Sequence, residues 1–149
     1  MRQSLARAAG TFSTLILIAG CADAGASVPL GKAKASMVEG LPVPEQAVLA
    51  GQGKNGGASG AKYEVASSIG TLDDWYNGHL ARGQAWRNWT WSSPSNSACP
   101  NLNFFHSSGE SWQWQSGGSA LSLTTASSGS GTSQIEINVL LTANGSLCP

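Results

Sequence analysis

Acid–base, nucleophilic or metal chemistry in this 149-residue chain would have to be built from three cysteines, two histidines and eight carboxylates. Their spacing builds little. Cys99 and Cys148 belong to no CxxC, and His79 and His106 lie far from either in sequence, so no metal-ligand set can be assembled and no cofactor is expected. Asp73 and Asp74 are adjacent carboxylates, but neighbouring helix positions point about 100° apart and cannot share one site. They read instead as residues that complement the start of a helix. Ser59-Gly60-Ala61-Lys62 spells SxxK, in which a helix-borne serine works beside a lysine, yet the SDN and KTG triplets that accompany it are absent. Gly51-Gln52-Gly53-Lys54-Asn55-Gly56 satisfies GxGxxG, but that motif must open a helix and here a second strand pattern follows. His79 falls on an apolar helical stripe, where a packed ring is expected. His106 with a carboxylate such as Glu110 is the one pairing left that would suit a small hydrolase.

The unusual chemistry is aromatic. Six tryptophans stand at 75, 86, 89, 91, 112 and 114, and Trp89/Trp91 and Trp112/Trp114 are both spaced i, i+2, which puts each pair on one face of its strand. If those strands are neighbours, four indoles share one patch. That patch is either core, since aromatics carry much of the burial energy of small domains, or a ligand platform that stacks on a sugar ring, a peptide or a lipid tail.

The elements that hold these residues follow from local pattern. Leu41-Pro42-Val43-Pro44 marks the domain entry, and Ala47–Ala50 is a short strand. Lys54-Asn55-Gly56-Gly57 supplies turn chemistry, and 61–67 alternates with Tyr63 and Val65 on one face. Thr71-Leu72-Asp73-Asp74 resembles an N-cap followed by an acidic residue. Leu72, Trp75, Tyr76, His79 and Leu80 then recur at helical spacing until Arg82-Gly83 stops the run. Strands follow from Trp86 to Ser92 and over 102–106, 111–115, 120–125 and 134–141, separated by Ser-Gly turns. The expected fold is α+β, one helix packed on an antiparallel sheet of about five or six strands.

Before this domain the chain carries a sorting signal. Arg2 and Arg7 are the only charges ahead of Asp23, and the apolar run up to Ile18 ends in Ala19-Gly20, the layout of a secretory signal peptide. The run is about half the roughly 20 residues that a bilayer-spanning helix requires. Ile18-Ala19-Gly20-Cys21 resembles the lipobox of bacterial lipoproteins at every position. The resemblance implies that residues 1–20 are removed, that Cys21 receives diacylglycerol and becomes the first mature residue, and that the protein is lipid-anchored at the bacterial cell envelope after crossing the cytoplasmic membrane. Ala22, rather than Asp, after that cysteine favours the outer membrane in a cell that has two. Residues 22–40 mix Ala, Gly, Ser, Lys and Pro without apolar period, so 21–40 is expected to be a flexible tether and 41–149 the domain.

With Cys21 committed to lipid, Cys99 and Cys148 remain as an even pair in an oxidising compartment, and a disulfide between them is expected. Removing 1–20 leaves 129 residues with six basic and eight acidic side chains. That suffices for one modest domain and offers no basic face for nucleic acid. The expected function is a small non-catalytic domain, held on the membrane by its anchor, that binds an envelope glycan, peptide or protein or serves as an accessory subunit. The envelope hydrolase built on His106 is the alternative.

Overall fold

A computed structural model describes residues 29–55, 58–92, 109–129 and 131–141. Cys21, Cys99, Cys148, His106, the signal peptide and the expected strand at 102–106 lie outside the described residues. Eight strands and one helix appear in the order β1 (Ala33–Ala35), β2 (Pro42–Pro44), β3 (Val48–Asn55), β4 (Ala58–Val65), α1 (Ile69–His79), β5 (Thr90–Trp91), β6 (Ser111–Ser116), β7 (Ser119–Gly129) and β8 (Thr132–Leu141). Strands β3 to β8 form one antiparallel sheet in the order β3-β4-β8-β7-β6-β5, and β1 and β2 form a separate two-stranded sheet. The α+β arrangement expected from the sequence is therefore present.

Alternation decides which side of the sheet is dry. Register aligns Trp112, Leu123, Ile137 and Ala61 in one row across four strands, flanked by Trp114, Leu121 and Val139 on one side and by Thr125, Ile135 and Tyr63 on the other. Nearly all of these are buried, and Leu72 and Tyr76 of α1, with Leu80 at its C-cap, pack in the same core. The helix lies in the connection from β4 to β5, which leads from one half of the sheet to the far edge. Two-residue reversal between β6 and β7 rests on Gly117 and Gly118, at φ 52° and 70°, a pair of left-handed residues of the kind a type I′ hairpin requires.

Two expectations are corrected here. The flexible tether does not extend to Gly40. Ala33–Ala35 pairs with Pro42–Pro44, and Leu30, Val38, Leu41, Val43 and Ala47 join the hydrophobic core, so the packed domain begins by Leu30. Helix α1 starts earlier than the Thr71 cap suggested, because Ser68 is the N-cap and its Oγ accepts from the Thr71 backbone N–H at 3.3 Å. Asp73 and Asp74 consequently lie past the first turn and do not complement the helix dipole there.

Candidate functional site

The tryptophans are mostly structural. Trp112 and Trp114 are fully buried and Trp89 is 8% exposed, which removes these three from the expected ligand platform. The geometry also departs from a pair of Trp-bearing strands. Trp91 sits on the two-residue β5 opposite Trp114, edge-on to it at 5.7 Å, whereas Trp89 belongs to a tight turn closed by its own bridge to Trp86. Trp91 is half-buried and packs on the core.

What these rings do is fasten irregular chain. Trp75 Nε1 donates to the Gly31 carbonyl (3.2 Å), Trp86 Nε1 to the Glu39 carbonyl (3.1 Å), Trp89 Nε1 to the Glu39 carboxylate (3.1 Å) and Trp114 Nε1 to the Gln84 carbonyl (2.9 Å). Three of the four bonds hold the 29–47 segment, which has few backbone ladders of its own. An indole carries a large apolar body and one donor, so it can bury area and still peg a loop. Glu39 and Arg87 both take positive φ, 53° and 52°, where this segment meets the Trp86–Trp89 turn, and Arg87 lies against Gly40. A side chain at Gly40 would collide with that guanidinium at 2.5 Å.

The titratable groups that meet do so at the helix–sheet seam. Thr125 Oγ1 donates to Asp73 Oδ1 (2.5 Å) and accepts from the Glu110 backbone N–H (2.8 Å), and Arg82 pairs with the Glu110 carboxylate. Burial raises the Asp73 pKa above its ordinary value, the Thr125 hydroxyl opposes that rise, Asp74 adds to it and Arg82 opposes it. Glu110 is thus engaged by Arg82, while its proposed partner His106 lies outside the described residues. His79 is exposed rather than packed in the core. Its ring stacks on Trp75 at 3.9 Å and its Nδ1 lies 2.7 Å from the Trp75 carbonyl oxygen. Among the described residues no group of three or more His, Cys, Asp or Glu is placed to hold a metal ion.

The opposite face of the sheet is polar, and no helix of the described residues packs on it. Register lines up Gln113, Ser122, Asn138 and Gly60 in one row and Ser111, Thr124, Glu136 and Lys62 in the next. Toward the β3 edge the side chains run out at Gly51 and Gly53, where an added Cβ would meet nothing within 4 Å. The result is a groove of about 370 Å³ with a backbone floor, bordered by Lys62, Glu136, Asn138 and the 41%-exposed Leu140. The Asn138 amide lies over Gly60, where a Cβ would fall 2.3 Å from its Oδ1 and oblige that side chain to turn away. Lys62 and Glu136 face each other at 4.0 Å with both heads largely in water, a contact worth about 0–1 kcal/mol and easily exchanged for a ligand. Among the described residues β3 has a strand on one side only, so its outer edge adds alternate backbone N–H and C=O groups. The sequence displayed these glycines as a false GxGxxG motif, and alternation of Lys62, Glu136 and Asn138 on the polar side was the signal for the groove.

No protein-family model, curated protein or solved structure matches the chain.

Proposed function

We propose that this chain is a bacterial envelope lipoprotein, lipid-anchored through Cys21, whose small non-catalytic domain binds an envelope component on the polar face of its sheet. The observation that carries the reading is the Ile18-Ala19-Gly20-Cys21 lipobox, followed by a packed domain that begins by Leu30. The groove supports the binding role. It joins an ammonium, a carboxylate, an amide and a strand edge that no described strand covers, on a side-chain-free floor, a combination that hydrogen-bonds an extended polar polymer such as a glycan or a peptide. Acyl chains on Cys21 would supply the membrane attachment.

Metabolic labelling with a fatty-acid analogue is expected to mark the wild type and not Cys21→Ala; label retained in the variant refutes the anchor. Mild crosslinking and capture of the anchored protein is expected to recover a glycan, peptide or protein, and Lys62→Ala with Asn138→Ala should reduce the yield. Unchanged capture from the double variant refutes the groove as the binding surface.

A further inference from the structure

We propose that the helix side of the domain rests on the lipid surface, with Trp75 and His79 of α1 at the headgroup level, leaving the polar sheet face turned away from the membrane. The proposal rests on the reading of Cys21 as the acylated residue. The chain between Cys21 and Pro29 spans at most about 28 Å even when fully extended, at roughly 3.5 Å per residue. A compact domain of roughly 110 residues has a radius of gyration near 13 Å, hence a diameter of about 34 Å. A leash shorter than the body it holds cannot let that body turn freely, and the side on which the leash enters is the side that stays near the bilayer.

That side is identified by contacts. The Gly31 carbonyl, two residues into the described chain, accepts from Trp75 Nε1, and Gln46 Nε2 bonds the Pro29 carbonyl. Entry of the chain is therefore pinned beside α1, in the layer opposite the polar sheet face. Trp75 is half-buried, braced edge-on against Tyr76 at 5.0 Å and stacked under the exposed His79. With Trp75 Nε1 held by the Gly31 carbonyl and His79 Nδ1 by the Trp75 carbonyl, what the pair offers a membrane–water boundary is its outer ring surface, capped by an exposed imidazole. On the entering segment and α1, Lys32 and Lys34 are exposed along with Glu45 and Asp74, two charges of each sign, so these four side chains carry no net charge that would repel a bilayer.

The test uses the full acylated protein in vesicles of phosphatidylethanolamine and phosphatidylglycerol carrying brominated acyl chains, with acylation verified by intact mass. Bromolipid quenching of tryptophan fluorescence is expected in the wild type, with most of it lost in Trp75→Phe. Hydrogen exchange in α1 of the unsubstituted protein should slow on vesicles relative to the Cys21→Ala chain, which keeps the test independent of how well Trp75→Phe folds. Quenching that survives in Trp75→Phe, with no slowing in α1, overturns the orientation. An acylated protein that shows neither effect overturns the docking and leaves the anchor standing. A chain that is never acylated removes both.

Discussion

Tyr63 and Tyr76 both lie in the core, at 4% and 0% exposure, yet their hydroxyls should respond oppositely to removal. The Tyr63 hydroxyl accepts from the Met37 backbone N–H at 2.9 Å. The Tyr76 hydroxyl is buried with no hydrogen-bond partner among the described residues, and burial pushes its pKa well above the usual phenol value. An unsatisfied buried hydroxyl costs about 1–3 kcal/mol of desolvation. Tyr76→Phe deletes that cost, and the void left by one oxygen subtracts only a few tenths of a kcal/mol at about 24 cal/mol per Å³. The expected net change is a stabilisation of about 1 kcal/mol, or a rise in Tm of roughly 4 °C or more for a domain of this size. Tyr63→Phe loses that bond, so a loss of about 1 kcal/mol is expected. Thermal and urea unfolding of the two variants, followed by circular dichroism, gives both signs in one experiment. A Tyr76→Phe variant destabilised as much as Tyr63→Phe would refute the reasoning, because it would mean that the Tyr76 hydroxyl is bonded in the molecule.

Further outcomes follow from other contacts. The native Asp73 pKa is raised, so between its ordinary value of 3.8 and the native value the folded state holds more protons than the unfolded chain. Stability contributed by this group is accordingly greatest at low pH and declines as pH climbs through that window; Asp73→Asn should abolish the decline in a pH series of urea melts. Trp112→Ala should cost about 3–5 kcal/mol, while the half-buried Trp91→Ala should cost clearly less, and equal losses in denaturant titrations would contradict the split between them. Gly118→Ala, at φ 70°, should destabilise by about 1–2 kcal/mol because an L side chain is disfavoured there, and an unchanged urea midpoint would exclude the left-handed turn. A disulfide between Cys99 and Cys148, expected from the sequence alone, should make the unreduced protein two hydrogens lighter than the reduced form, and native alkylation of both thiols would disprove it.

Sequence made the sheet legible where alternation was long. Ile135, Ile137 and Val139 against Glu136 and Asn138 announced β8, and Tyr63 and Val65 announced β4, because a half-buried strand imposes period two on its composition. The 33–44 layer escaped because Ala-Lys-Ala has neither period nor β propensity. Its pairing is enforced by partners far along the chain, the indoles of Trp75, Trp86 and Trp89 among them. The helix start shifted for a related reason: Ser68 and Thr71 are equally good caps locally, and Ile69 and Gly70 extend the helix by one turn ahead of the apolar stripe. His79 sat in that stripe by count, yet of the stripe only Leu72, Tyr76 and Leu80 are buried in the core, and the His79 ring stacks on Trp75 at the flank. Tryptophan spacing could not separate core from platform, since both readings place indoles on one face and only the covering layer decides. The groove was hidden by the habit of reading glycine as turn chemistry; in β3 it is the absence of side chains on a polar face that matters.

Sheet order also bears on the export that the proposed signal peptide would require. The hairpin β3-β4 finds its second neighbour in β8, with Ser59 opposite Val139, and β8 is the last strand described. Until that strand emerges, β4 has an open flank and the Ala61–Ile137–Leu123–Trp112 row cannot close. Non-local pairing of this kind slows folding, because loop closure precedes any reward from the contact. If the proposed signal peptide directs export with the amino end leading, a fold that cannot lock until β8 arrives would keep the chain threadable for most of its passage. It follows that a chain truncated before β8 should remain translocation-competent and protease-sensitive, while the full-length chain acquires resistance only after its release.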